Sequence, residues 1–94
     1  MNVHGFLDDS GKINVTWEPV PVQHRRGIIQ GYRVTARTIN DQRVATVNAP
    51  RLSVELPNLL KGKLYSITVT AFNIAGEGPP SPAVGVRTED GGKR

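Results

Sequence analysis

The chain of 94 residues contains no cysteine. In so short a chain that absence excludes disulfide stapling and thiolate metal sites, so packing alone must supply the stability. Aromatic residues are scarce: one tryptophan, two tyrosines and two phenylalanines. A stacking platform for bases needs exposed aromatics interleaved with cations, and Trp17, Tyr32 and Tyr65 all fall on apolar faces, so nucleic acid is not expected as a partner. No apolar run approaches the roughly 20 residues that span a bilayer. The opening "MNVHGFLDDS" has neither the charged start nor the apolar middle of a secretory signal, so an exported form would be a piece of a longer chain. The only histidines, His4 and His24, have no cysteine or close carboxylate at relay or ligand spacing. Asp8 and Asp9 beside Ser10 and Gly11 are turn formers, since calcium requires a longer ladder of oxygens. The expectation is a protein that is not an enzyme and uses no cofactor and no metal.

What is present is alternation. Ile13, Val15 and Trp17 share one face of "KINVTWE"; Tyr32, Val34 and Ala36 share one face of "GYRVTART", with Arg33, Thr35 and Arg37 on the other. Leu52, Val54 and Leu56 repeat the pattern, and "LYSITVTAF" sets Tyr65, Ile67, Val69 and Ala71 inward against Ser66, Thr68 and Thr70 outward. Val3 to Leu7, Arg43 to Val47 and Val84 to Arg87 complete the set. Turn-forming clusters separate these runs: "DDSGK", "EPVPVQHRRG", "INDQ", "NAP", "PNLLKG" and "NIAGEGPPSP". Seven short strands at this spacing predict an all-β fold, a seven-stranded antiparallel immunoglobulin-like β-sandwich.

Gly76 and Gly78 are followed by Pro79, Pro80 and Pro82 and then by another extended run, with no helix to receive an anion, so the glycine-rich loop is not a phosphate cradle. The glycines are expected to supply positive φ for a hairpin, and the prolines to stiffen its exit and restrict edge pairing. Tyr65, six residues after Leu59, can bury its ring and return its hydroxyl to the backbone of the preceding turn.

These residues resemble the fibronectin type III domain. Trp17 matches the core tryptophan of that family's second strand, "GIIQGYRV" its third-strand entry with Ile29 and Tyr32, and "LLKGKLYSITVTAFNIAGEGPPS" its stretch from the fifth-to-sixth strand turn through the last loop, with Leu59 and Tyr65 in place. The resemblance implies that Trp17, Tyr32, Leu59 and Tyr65 are core, with residues 1–90 forming the domain and 91–94 a C-terminal tail. The chain departs from the pattern at Lys61, where a proline is usual, and lacks the proline-rich lead-in. The family's last loop can carry an Arg-Gly-Asp sequence that binds integrins; that tripeptide is absent here.

Twelve Lys and Arg against eight Asp and Glu give a net charge of +4 and favour acidic or polyanionic partners. On the outer face of the third strand, Arg33 and Arg37 are expected beside Ser66, Thr68, Thr70 and Arg87, a surface suited to sulfated glycan or an acidic protein, or simply solvated. A second surface is expected at the pole bearing the N-terminus, with His24, Arg25 and Arg26 in one loop and Glu77 in the stiff loop of Gly76 to Pro80; its plainer role is to set an inter-domain angle. Asn14-Val15-Thr16 is an N-glycosylation pattern on the face opposite Trp17, or a chance occurrence.

The resemblance points to a non-catalytic protein–protein interaction and spacer module of a multidomain extracellular adhesion protein or receptor. Its setting would be the cell surface, in a larger single-pass membrane chain. Its partners would be other protein domains, neighbouring in cis or opposed in trans, with no direct membrane contact by this domain. The alternatives are a structural repeat of an intracellular muscle-type giant protein and a sulfated-glycan-binding module.

Overall fold

The computed structural model describes residues 2–19 and 28–88. Alternating apolar side chains bury only if the backbone is extended, and each run with that alternation is a strand: β1 (Val3–Leu7), β2 (Ile13–Trp17), β3 (Gly31–Thr38), β4 (Asp41–Asn48), β5 (Ser53–Leu56), β6 (Leu64–Asn73), β7 (Gly76–Glu77) and β8 (Val84–Arg87). They form two antiparallel sheets. The first has the order β1-β2-β5; the second has the order β4-β3-β6-β7, with β8 also paired to β6. Between the sheets lie Ile13, Val15 and Trp17 of β2, Tyr32, Val34 and Ala36 of β3, Tyr65, Ile67, Val69 and Ala71 of β6, and Val47, Leu56 and Val86. Leu59 and Ile29 pack against this cluster from its margin. Trp17 and Tyr32 meet with ring centroids 5.4 Å apart and planes inclined at 58°, the tilted geometry that aromatic quadrupoles favour.

Among the described residues eight strands are present where seven were expected. The additional one is the two-residue β7, which pairs Phe72 with Glu77 and Asn73 with Gly76. Asn73 makes it possible: its side-chain oxygen accepts the Ala75 amide at 2.9 Å, closing a turn on Ile74 and Ala75, and Gly76 follows at φ +129°, where a Cβ is disfavoured. Gly78 is not in that conformation; its amide instead donates to the Ala71 carbonyl at 2.9 Å. The strand β4 is longer than its alternation suggested. Its pairing with β3 continues to Thr38↔Asp41, so Asp41 and Gln42 belong to the strand and only Ile39 and Asn40 turn.

Antiparallel order places the two ends of the domain at opposite poles. Val3, residues 28–30, residues 48–51 and the β6–β7 hairpin share the N-terminal pole, because Val3 pairs with Trp17 and Gln30 bonds to the Phe72 carbonyl. The turn at residues 8–11, the Ile39–Asn40 turn, residues 57–63 and Thr88 share the C-terminal pole.

Candidate functional site

The outer face of the second sheet carries side chains of β4, β3, β6 and β8 in register, with Gln42, Val44 and Thr46 of β4 beside Arg37, Thr35 and Arg33. Arg33 lies across from Thr70, Thr35 from Thr68 and Arg37 from Ser66, while Ser66 and Leu64 of β6 face Gly85 and Arg87 of β8. Inward partners alternate with these, so strand parity alone sends Arg33, Arg37, Leu64, Ser66 and Arg87 to solvent. The sequence-predicted surface candidates therefore do assemble, but in two unlike halves. Toward the N-terminal pole, Arg33 forms an ion pair with Glu77, joining two of the expected residues and fastening β7 to the sheet. A pair this exposed is worth at most about 1 kcal/mol, and it removes Arg33 as a free cation. Toward the C-terminal pole, Arg37 is oriented by a bond from its Nε to the Gln42 side-chain oxygen at 3.0 Å, and Arg87 is exposed. His24, Arg25 and Arg26 lie outside the described residues.

Asn14 is on the other sheet, paired with Phe6 and Glu55, on the face opposite Trp17. Its Nδ2 donates to Asp8 Oδ2 at 2.9 Å. Asp8 also accepts the Ser10 hydroxyl at 2.7 Å and the amides of Ser10 and Lys12 at 2.9 and 3.0 Å. The Ser10 hydroxyl, then the Asn14 amide and the Lys12 amide, favour the charged form and hold this carboxyl well below the usual carboxylate range. Asp8 is thus the centre of the first turn, in agreement with a turn-forming role.

Tyr65 is fully buried, and its hydroxyl accepts the Leu60 amide at 2.9 Å, the expected return to the preceding turn. It also donates to Asp41 Oδ2 at 2.7 Å. Burial, then the Asp41 carboxylate, push the phenol above its ordinary value. Asp41 Oδ1 accepts Arg43 Nη1 at 2.9 Å, and Arg43 Nη2 donates to the Asn58 carbonyl at 2.8 Å. Asn58 itself sits at φ 60°, the left-handed conformation Asn tolerates better than most residues. Sequence reasoning found Tyr65 and missed its joining to Asp41, Arg43 and Asn58, because Tyr65 and Asn58 lie far along the chain from the Asp41–Arg43 pair. It also missed Leu64 and Ile39 as exposed apolar residues; the outward parity of Leu64 next to Ser66 was the available signal.

Among the described residues no group of three or more His, Cys, Asp or Glu side chains could hold a metal ion, and no helix is long and apolar enough to cross a membrane.

The comparisons with known proteins agree with this architecture. Protein sidekick-2 of Gallus gallus is 39% identical over 82 residues, covering 83% of this chain. Receptor-type tyrosine-protein phosphatase F of Mus musculus is 35% identical over 82 residues, covering 82% of it. The chain spans only 4% of the length of each. The third fibronectin III domain of human KIAA0343 protein superposes with a TM-score of 0.84 at 28% identity, over 98% of this chain and 82% of that one. The family model for the fibronectin type III domain matches residues 2–87, and the chain belongs to that family, a non-enzymatic fold.

Proposed function

We propose that this domain is a protein–protein interaction and spacer module of a long, multidomain cell-surface protein of the adhesion or receptor type, carried on a single-pass membrane chain. The observation that carries the reading is its size against its relatives: a complete sandwich matched over residues 2–87 corresponds to 4% of the chains it resembles. The fold suits the role mechanically. Val3 and Arg87 lie at opposite poles, so copies joined end to end extend rather than fold back, and each module leaves its sheet faces for partners. Among the described residues the buried apolar side chains pack between the sheets, which leaves the outer faces and the two poles to meet neighbouring modules in cis or opposed proteins in trans.

Asn14 is the glycan acceptor this reading offers. Its amide nitrogen donates to Asp8 in the folded domain, and a glycan-linked nitrogen would keep one N–H for that bond. Secretory expression is expected to add mass that Asn14→Gln removes.

The test of the reading is antibody labelling of this domain in the full-length protein on unpermeabilised cells. Surface labelling is expected. Labelling that appears only after permeabilisation overturns the reading and favours an intracellular repeat.

A further inference from the structure

The outer face of the second sheet ends, at the C-terminal pole, in an apolar row that the fold does not use. The β3–β6 register ends with Arg37 paired to Ser66; Ile39 follows in the turn just beyond β3, at the same pole as Leu64, which pairs with Arg87. Ile39 is 89% exposed and Leu64 is 53% exposed. Gly85, opposite Ser66 and diagonal to Leu64 on β8, carries no side chain, and a Cβ there would lie 3.5 Å from Leu64 Cδ1, so the leucine leans toward the space that the glycine leaves. Ile39 and Leu64 are both large aliphatic side chains left exposed at the end of the sheet face, where they add nothing to the core.

Among the described residues, the exposed charges that flank this row in the strands are cationic. Arg37 stands one outward position above it and Arg87 at its side, and Lys63, next to Leu64 in the chain, is also exposed. Asp41, two residues beyond Ile39 in the chain, is turned inward to Tyr65 and Arg43. At the opposite end of the same face, Glu77 already neutralises Arg33. Among the described residues the face is therefore polarised, with Glu77 paired to Arg33 toward the N-terminal pole and Arg37 and Arg87 beside the exposed aliphatics.

Resting on the reading of the domain as an interaction module, we infer that Ile39 and Leu64, rimmed by Arg37, Arg87 and Lys63, form the docking surface for an acidic protein partner that presents an aliphatic or aromatic side chain amid carboxylates. Apolar contact at the centre supplies affinity, and the arginines, which can grip carboxylates with two parallel hydrogen bonds, supply orientation and encounter rate. A polyanionic sugar would use the cations and ignore the aliphatics.

The test titrates the isotope-labelled domain with a synthetic peptide alternating glutamate with leucine and phenylalanine, followed by amide chemical shifts. Shifts are expected at Arg37, Ile39, Leu64 and Arg87. The double variant Ile39→Ser with Leu64→Ser should weaken binding by roughly tenfold or more. The charge reversal Arg37→Glu with Arg87→Glu should weaken it comparably and reduce its salt dependence. A heparin hexasaccharide and phosphatidylserine vesicles run as parallel probes. The proposal is overturned if the peptide perturbs another surface or none. It is also overturned if charge reversal abolishes binding while the serine pair leaves it intact, the behaviour of a glycan site, or if only vesicles bind. In each case positive surface labelling of the full-length protein leaves the module reading standing, so the two failures are distinguishable.

Discussion

The two faces of β6 obey different rules although they alternate residue by residue. Inward, Tyr65, Ile67 and Val69 are wholly inaccessible, and each has a packing or hydrogen-bonding reason to be what it is. Outward, Leu64, Ser66, Thr68 and Thr70 lie on an open sheet, and Leu64, the most apolar of them, is 53% exposed. The inner face is explained by the fold; the outer face, at Leu64, is explained only by something outside it. Structural and functional demands are thus separated by a rotation of half a turn along a single strand.

The sharpest way to break that contrast is to attack the inner face first. Ile67→Ala removes a fully buried side chain and should cost about 2–5 kcal/mol in a urea denaturation experiment, since the surrounding sheets can collapse only partly into the space. The outer face has one place where it too is fixed by packing. A Cβ on Gly31 would lie 2.6 Å from Phe72 Cζ, with the Val47 carbonyl closer still. Gly31→Ala should therefore destabilise by about 1–3 kcal/mol through forced displacement of the ring and backbone; an unchanged midpoint would show that Phe72 does not cover the glycine. Tyr65→Phe should cost about 1–2 kcal/mol, because it leaves the buried Asp41 oxygen and the Leu60 amide without the hydroxyl. The same substitution should not alter peptide binding.

A smaller effect sharpens the comparison by pH. Asp8 holds its proton less tightly in the folded chain than when unfolded, so the stability it contributes is present above its ordinary value of 3.8 and fades as the pH falls through the lower folded value. The difference in unfolding midpoint between the parent domain and Asp8→Ala should accordingly be constant from neutral pH to about pH 5 and shrink below pH 4. A difference that persists unchanged in strong acid would mean that the carboxylate bonds to Ser10, Lys12 and Asn14 are not its source.

The sequence made the inner face legible because burial imposes period two. Ile13, Val15, Trp17 and the alternating half of β6 announce themselves by spacing alone, and Tyr65 by its distance from Leu59. The β7 hairpin was less visible: it depends on the Asn73 side chain closing a turn and on an ion pair between Arg33 and Glu77, which stand far apart in the chain. The Asp41–Arg43–Asn58 network was hidden for the same reason, its members joined by folding rather than by periodicity. On the outer face, Arg33 and Arg37 look equivalent as letters, both two-residue steps along β3. Only the register shows that one is neutralised and that the other borders exposed leucine and isoleucine.

The most direct measurement is a paired one on the Ile39→Ser, Leu64→Ser variant and on Tyr65→Phe, comparing unfolding free energy with affinity for the acidic peptide. Separation of roles predicts that the serine pair stays within about 0.5 kcal/mol of the parent domain per site and loses the peptide, while Tyr65→Phe loses stability and keeps it. A serine pair that unfolds the domain, or a Tyr65→Phe variant that loses the peptide while still folded, would contradict the account.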